Sequence, residues 1–243
     1  MSGQVRFEGC VALVTGGAGA IGRALVRALQ AEGAVVAVLD RSADSELGDL
    51  VLECDVTSGD AVEAAVAQVV ERLGPPTHVV CSAGVVSEAE LAELPEAEWH
   101  RVVDTSLTGA FLTFKATLPA MASAGGGAAV ALSSGWGTKG YPRGSHYAAA
   151  KAGVEALVKS AALEFAPAGV RVNAVAPGPV LTPFLPVPDD ELDDFRRQRE
   201  AAIPLGRLAV PADVVGPVLF LLGAESGYVT GQVLHVNGGL LMP

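Results

Sequence analysis

Short apolar runs alternate with helical stretches from one end of this chain to the other. Cys10–Val14, Val35–Leu39, Leu50–Cys54, His78–Ser82, Ala128–Leu132, Val170–Val175 and Val233–Val236 are rich in small and branched apolar residues, mostly valine, and bounded by glycine, proline or polar residues. Such runs read as buried strands. Between them Ile21–Glu32 carries apolar residues at Ile21, Leu25 and Leu29, and Asp60–Leu73 follows Ser58 as its N-cap. Glu96–Ala122, Tyr147–Ala166 and Ala212–Leu222 are the other helical patterns. Strands alternating with helices predict an α/β chain, a doubly wound parallel sheet of about seven strands with helices on both faces. Crossovers are expected to be right-handed. No internal repeat or low-complexity linker interrupts the rhythm, so residues 1–243 read as one domain. At 243 residues, half of them hydrophobic, the chain is long enough for a substantial core.

The first strand runs directly into Thr15-Gly16-Gly17-Ala18-Gly19-Ala20-Ile21-Gly22, which opens the first helix. Glycines at such a corner permit a tight turn and the close approach of a pyrophosphate, which then rests on the helix N-terminus. Glycine is common in any turn, so the position in the first βα unit matters more than the composition. Asp40 closes the second strand, and a carboxylate there can accept both hydroxyls of an adenosine ribose. It would also repel the extra phosphate of NADP. Arg41 pulls the other way, because an arginine near this site can accommodate that phosphate. Asp40 holds the strand-end position, so NAD is expected over NADP.

Composition removes several classes of function. Net charge is −11 with no long basic run, so a nucleic-acid partner is not expected. Cys10, Cys54 and Cys81 lack CxxC spacing and sit in or beside apolar runs, which reads as free thiols in a reducing cytosol. His78, His100, His146 and His235 are scattered, and no metal site is expected. Met1 to Phe7 is polar without an apolar signal core, and no apolar stretch approaches about 18 residues. The reading is a cytoplasmic protein without a membrane span.

Chemistry concentrates in Tyr147-Ala-Ala-Ala-Lys151, with Ser134 thirteen residues upstream. Helix positions i and i+4 share a face, so phenol and ammonium point into one space. A phenol has a reference pKa of about 10, too high for easy proton exchange at neutral pH. A fixed cation at about 4 Å contributes about 4 kcal/mol at an effective dielectric near 20, or about three pKa units. That would bring the tyrosine into the range of a general acid/base.

Together these residues resemble the short-chain dehydrogenase/reductase family, in its version of about 250 residues, and the likeness runs from Val11 to Gly239. The glycine loop is similar to the family's TGxxxGxG. Asp55-Val56-Thr57 resembles its adenine-contacting segment, and Ala83-Gly84 the end of its NNAG motif. Pro177-Gly178-Pro179-Val180-Leu181-Thr182 resembles its nicotinamide-side PGxVxT. Tyr228-Val229-Thr230-Gly231-Gln232 and Val236-Asn237-Gly238-Gly239 are similar to its C-terminal signature. The resemblance implies a Rossmann-type fold. It implies a cofactor held by Gly16, Gly19, Ile21, Gly22, Asp40, Arg41, Asp55, Val56, Ala83, Gly84, Tyr147, Lys151, Pro177, Gly178, Val180 and Thr182. It implies Ser134, Tyr147 and Lys151 as the catalytic set. Ser106 completes that set, standing where the family usually has an asparagine that supports a proton-conducting water. Ala20 adds a methyl beside the expected pyrophosphate, although Gly17, Gly19 and Gly22 still fit GxGxxG. Cys81-Ser82 replaces the two asparagines of NNAG.

The implied reaction is a reversible hydride transfer between a secondary alcohol and a ketone. Ser133 competes with Ser134 for contact with the substrate oxygen. Trp136, Tyr141, His146 and Phe184 are the expected pocket walls, and aromatic walls suggest a substrate with a hydrophobic body. Pro177 to Leu205 holds six prolines and the acidic run Asp189–Asp194 followed by Arg196, Arg197 and Arg199. It reads either as a solvated surface helix or as a lid at 184–205. An alternative function is a nucleotide-binding relative without redox chemistry, acting as a regulator or partner subunit. A homo-oligomer is expected from the resemblance, a tetramer or possibly a dimer. Ala148, Ala149, Ala150, Ala152, Gly153 and Ala156 would let a helix pack closely on a neighbour, and Leu240 to Pro243 is apolar enough for a subunit contact.

Overall fold

The computed structural model describes residues 5–42, 46–182 and 192–243, without the side chains of Leu192 and Phe195. A seven-stranded sheet runs in the order β3-β2-β1-β4-β5-β6-β7, with every pairing parallel. The strands are β1 (Val11–Thr15), β2 (Val35–Asp40), β3 (Leu50–Glu53), β4 (His78–Cys81), β5 (Gly127–Leu132), β6 (Val170–Pro177) and β7 (Val233–Val236). Every residue of β1 is buried, as expected of a strand covered on both faces.

The helices are α1 (Ala20–Ala31), α2 (Gly59–Leu73), α3 (Glu96–Val103), α4 (Gly109–Ser123), α5 (Gly135–Lys139), α6 (Ser145–Phe165), α7 (Leu192–Ala202) and α8 (Pro211–Leu222). They sort into two layers. Val62 and Val66 of α2, Phe114 and Leu118 of α4, and Val154 and Val158 of α6 share one buried cluster with outward residues of the sheet. Leu25 and Leu29 of α1 and Val214 and Val218 of α8 share the other. Ser58 caps α2 by accepting a hydrogen bond from the Ala61 N–H at 3.3 Å, as its sequence position suggests. Among the described residues no helix is long and apolar enough to cross a membrane.

The expected single helix from Glu96 to Ala122 is a composite. A π-helical turn at Asp104–Thr108 separates α3 from α4. The apolar pattern continues through that turn, which is why the sequence reads as one helix. α5 has no counterpart among the expected helices, because Gly135 and Gly137 within it and Gly140 after it are poor helix formers. Ser134 caps it by accepting from the Trp136 N–H at 3.3 Å. Of the segment expected as a lid, Phe184 and its neighbours to 191 lie outside the described residues, and the remainder contains α7.

Chain order reverses between β1 and β4. β2 and β3 lie to one side of β1, and β4 to β7 to the other. Such a reversal leaves a crevice at the carboxyl ends of the strands, where open α/β sheets bind ligands.

Candidate active site

A cavity of about 970 Å³ opens at these carboxyl ends. Gly16, Gly19, Ile21, Gly22, Asp40, Arg41, Asp55 and Val56 line it, as do Ala83, Gly84, Pro177, Gly178, Val180 and Thr182. Tyr147, Lys151 and Ser134 are on the same wall system. The fold thus gathers residues more than 160 positions apart into one space.

Its first end is shaped by backbone proximity. Gly16 has φ +67°, and a Cβ there would stand 2.6 Å from the Ala83 backbone. A Cβ on Gly22 would stand 2.2 Å from the Gly16 carbonyl oxygen. Only glycine lets the loop, the start of α1 and the end of β4 close together, leaving a shallow cradle over the α1 N-terminus suited to a pyrophosphate. Asp40 braces that cradle. Its Oδ2 accepts the Ala18 N–H at 2.9 Å and its Oδ1 accepts the Ser42 N–H at 3.0 Å. A carboxylate has about four acceptor sites, so capacity remains for ribose hydroxyls. Asp55 accepts from the N–H and hydroxyl of Thr57 at 2.9 and 2.8 Å, and these bonds hold its carboxyl below the usual range. Glycine cradle, strand-end carboxylate and cavity size fit a nicotinamide dinucleotide.

At the other end α6 presents Tyr147 and Lys151 inward. Both are buried, at 7% and 4% exposure, beside Ser134 at 7%. Lys151 Nζ donates to the Leu132 carbonyl at 2.7 Å and lies 5.6 Å from the centroid of the Tyr147 ring. Burial pushes the Tyr147 phenol up to about 12, and its hydrogen bond with Ser134 pulls it down. Burial also brings Lys151 down to about 8. From spacing alone, a fixed ammonium is expected to lower the phenol. In the fold, the burial that brings the two together raises the phenol and weakens the ammonium, and burial wins.

Ser133 is occupied elsewhere. Its hydroxyl donates to Glu155 Oε1 at 2.8 Å and approaches the Lys151 carbonyl at 3.2 Å, tying β5 to α6. Ser134 is therefore the serine available to a substrate oxygen. Ser106 sits in the π-turn behind this wall rather than on it, 2% exposed, with no hydrogen-bond partner for its Oγ. A Cβ built on Gly84 would meet Ser106 Oγ at 3.4 Å and Lys151 Nζ at 3.5 Å, so both flank that glycine.

Trp136 and Tyr141 line the cavity, with rings stacked 4.6 Å apart at 10°. His146 does not line it. It is fully buried, with Nε2 2.9 Å from the Ser87 hydroxyl, because its position one residue before Tyr147 turns it away from the face Tyr147 presents. Phe184 lies outside the described residues. Glu88, Arg101 and Arg199 also line the cavity and were not foreseen. The arginine-rich end of the proline-rich segment was the one sequence signal that could have flagged Arg199. Among the described residues no group of three or more His, Cys, Asp and Glu could hold a metal ion.

A dinucleotide-shaped crevice beside a buried Ser–Tyr–Lys set defines a nicotinamide-dependent oxidoreductase. Comparison with known proteins makes this specific. The family model described as enoyl-(acyl carrier protein) reductase matches residues 16–241. The chain is 37% identical to a 3-oxoacyl-acyl-carrier-protein reductase of Thermotoga maritima, covering 98% of this chain and 100% of that protein. It is 36% identical to a (3R)-3-hydroxyacyl-CoA dehydrogenase of Mus musculus, over 100% of both chains. A short-chain type dehydrogenase/reductase from Mycobacterium marinum superposes with a TM-score of 0.90 at 34% identity, covering 99% of this chain and 98% of that one. The chain belongs to the short-chain dehydrogenase/reductase family and is an enzyme acting on CH–OH groups of a small-molecule substrate.

Proposed function

We propose that this enzyme interconverts a secondary alcohol and a ketone with NAD(H), and that Tyr147 is its general acid/base. The observation that carries the reading is one cavity lined both by the carboxylate of Asp40 and by Ser134, Tyr147 and Lys151. When bound, the nicotinamide takes up or supplies the hydride at the carbinol carbon.

The chain's own residues handle the proton. In oxidation the Tyr147 phenolate takes the hydroxyl proton as the C–H electron pair departs. In reduction the phenol returns it to the developing alkoxide. Ser134 donates a hydrogen bond to the substrate oxygen, and such a donor matters most when charge develops there. Lys151, anchored on the Leu132 carbonyl, keeps a positive group beside the phenol and can reach the nicotinamide ribose. The retained lysine charge favours the phenolate, and the positive ring of an oxidised nicotinamide would add to it, both working against the burial that raises the phenol. Asp40 favours NAD because its charge opposes a 2′-phosphate. A homo-oligomer, tetramer or dimer, is supported by the solvent-facing side of α6, where Ala149, Ala152 and Ala156 are exposed and Leu163 is 81% exposed. Ala150 and Gly153 instead pack within the subunit, Gly153 against Leu107.

The test is NADH and NADPH oxidation against a ketone panel, with Tyr147→Phe beside the wild type. NADH-linked turnover should vanish in the variant while NADH affinity stays near normal. Turnover retained by Tyr147→Phe refutes the acid/base assignment.

A further inference from the structure

Beside Tyr147 the cavity wall changes character. Glu88, Arg101, Trp136, Tyr141 and Arg199 line it there. The Tyr141 hydroxyl donates to the Glu88 carboxylate, and Arg143 lies 3.7 Å from Glu88 and 3.2 Å from Glu90. Arg101 pairs with Glu98 at 2.6 Å. The Arg199 guanidinium, carried by α7, lies over the Trp136 ring at 5.6 Å. We infer that the wall of Glu88, Trp136, Tyr141 and Arg199 selects a cyclic, polyhydroxylated alcohol, a sugar or cyclitol, as the substrate of the oxidoreductase proposed above.

Three features carry this. First, charges are matched in place. Arg101 and Arg143 already face carboxylates, so the wall offers little net positive charge to anchor an anionic headgroup. Second, it offers acceptors and donors together. The Glu88 carboxylate accepts from Tyr141 and retains acceptor capacity, while a guanidinium carries five N–H donors. A hydroxyl both donates and accepts, so several hydroxyls on one ring can use such a mixed wall where a lone ketone or ester cannot. Third, the Trp136–Tyr141 stack, with Arg199 over the Trp136 ring, lines the cavity with apolar ring edges against which the C–H groups of a saturated ring can pack. An unbranched acyl chain laid on the same wall would desolvate the carboxylate and guanidinium groups without replacing their lost hydration, which is costly.

The experiment measures NAD-linked oxidation of aldohexoses and cyclitols against cyclohexanol and 3-hydroxybutyryl-CoA. The variants are Glu88→Gln, Trp136→Leu and Tyr147→Phe. A polyhydroxylated ring should exceed cyclohexanol in kcat/KM by about 100-fold or more, since sites built to bond a hydroxyl reject analogues lacking it. Glu88→Gln should shrink that ratio at least about tenfold, mainly through KM, because it removes uniform binding rather than the proton step. Preference for the thioester, or a ratio unmoved by Glu88→Gln, overturns the assignment. Turnover that survives Tyr147→Phe sinks the acid/base reading while leaving the selectivity test intact. Binding gives a second readout, because Trp99 and Trp136 are the two tryptophans. In a Trp99→Phe protein saturated with NADH, a cyclic polyol should change the remaining fluorescence. Neither turnover nor a fluorescence change with any polyol also overturns the proposal.

Discussion

Replacing Asp40 by serine should move cofactor preference from NADH toward NADPH. Asp40 closes β2 on the cavity wall, partly exposed, with one oxygen bonded to the Ala18 N–H at 2.9 Å. A 2′-phosphate binding beside it would meet a like charge. Two unit charges at about 4 Å interact by about 4 kcal/mol at an effective dielectric near 20. Partial exposure and salt reduce that to about 2 kcal/mol, or about 30-fold in favour of NADPH once the charge is gone. NADH should lose its charge-assisted bonds to the ribose, each worth about 1.5–3 kcal/mol, or about 10- to 100-fold. The ratio of kcat/KM for the two cofactors should therefore change by about 1000-fold. Asp40→Asn separates the causes, since its amide oxygen can still accept from Ala18 while the charge is absent. It should gain the NADPH term and lose less with NADH. The assay is initial rate against each cofactor at saturating ketone. A wild type that prefers NADPH, or an Asp40→Ser ratio within about threefold of wild type, refutes the electrostatic reasoning.

Gly22→Ala would drive a Cβ to 2.2 Å from the Gly16 carbonyl, in backbone that cannot rotate away. Overpacking of this kind costs about 1–3 kcal/mol. NADH affinity should fall at least tenfold with a lower Tm, and unchanged affinity would contradict the cradle. Acid should weaken the fold through His78, which burial holds down to about 4 while the unfolded imidazole titrates near 6.5. Between these values the unfolded chain binds more protons, so stability is full above about pH 6.5 and declines as pH falls toward 4. By pH 5 the loss should be about 2 kcal/mol, seen as a lower urea midpoint, and His78→Gln should remove most of that decline.

The sheet could be read from sequence because its central strands are buried on both faces. Burial leaves no alternation, only compact apolar runs such as Val35–Leu39 and Ala128–Leu132. Gly16 and Gly22 were legible because backbone crowding admits no other residue there, and Asp40 because it ends a strand beside them. Helix period put Tyr147 and Lys151 on one face, and the family resemblance made them a catalytic pair. The sign of the phenol's pKa did not, since spacing reports a neighbour's charge and not the loss of water around both groups. The substrate wall was half visible. Trp136 lies in α5 and Tyr141 just beyond it, where the glycines hide the helix, and Arg199 reaches Trp136 from a helix 63 positions away. No local pattern encodes such a meeting. His146 was misplaced on the wall although its one-residue offset from Tyr147 already pointed it elsewhere.

The π-turn at Asp104–Thr108 lets one stretch of chain serve two orientations. Each residue advances an α-helix by about 100°, so one extra residue in a turn re-aims everything after it. Ahead of the turn, Arg101 faces the cavity. Beyond it, Phe114, Leu118 and Met121 face the core. Within the turn, Ser106 stands beside Lys151. The extra residue held by the turn thus sets the phase of everything beyond it. Closing the turn to a regular helix at the same length would swing the α4 core face by about 100°. Deleting one residue from 104–108 at the same time would undo that swing, because the π-turn is what takes up the extra residue. Such a deletion would keep the α4 core contacts in register and would fall instead on Ser106 and its place beside Lys151.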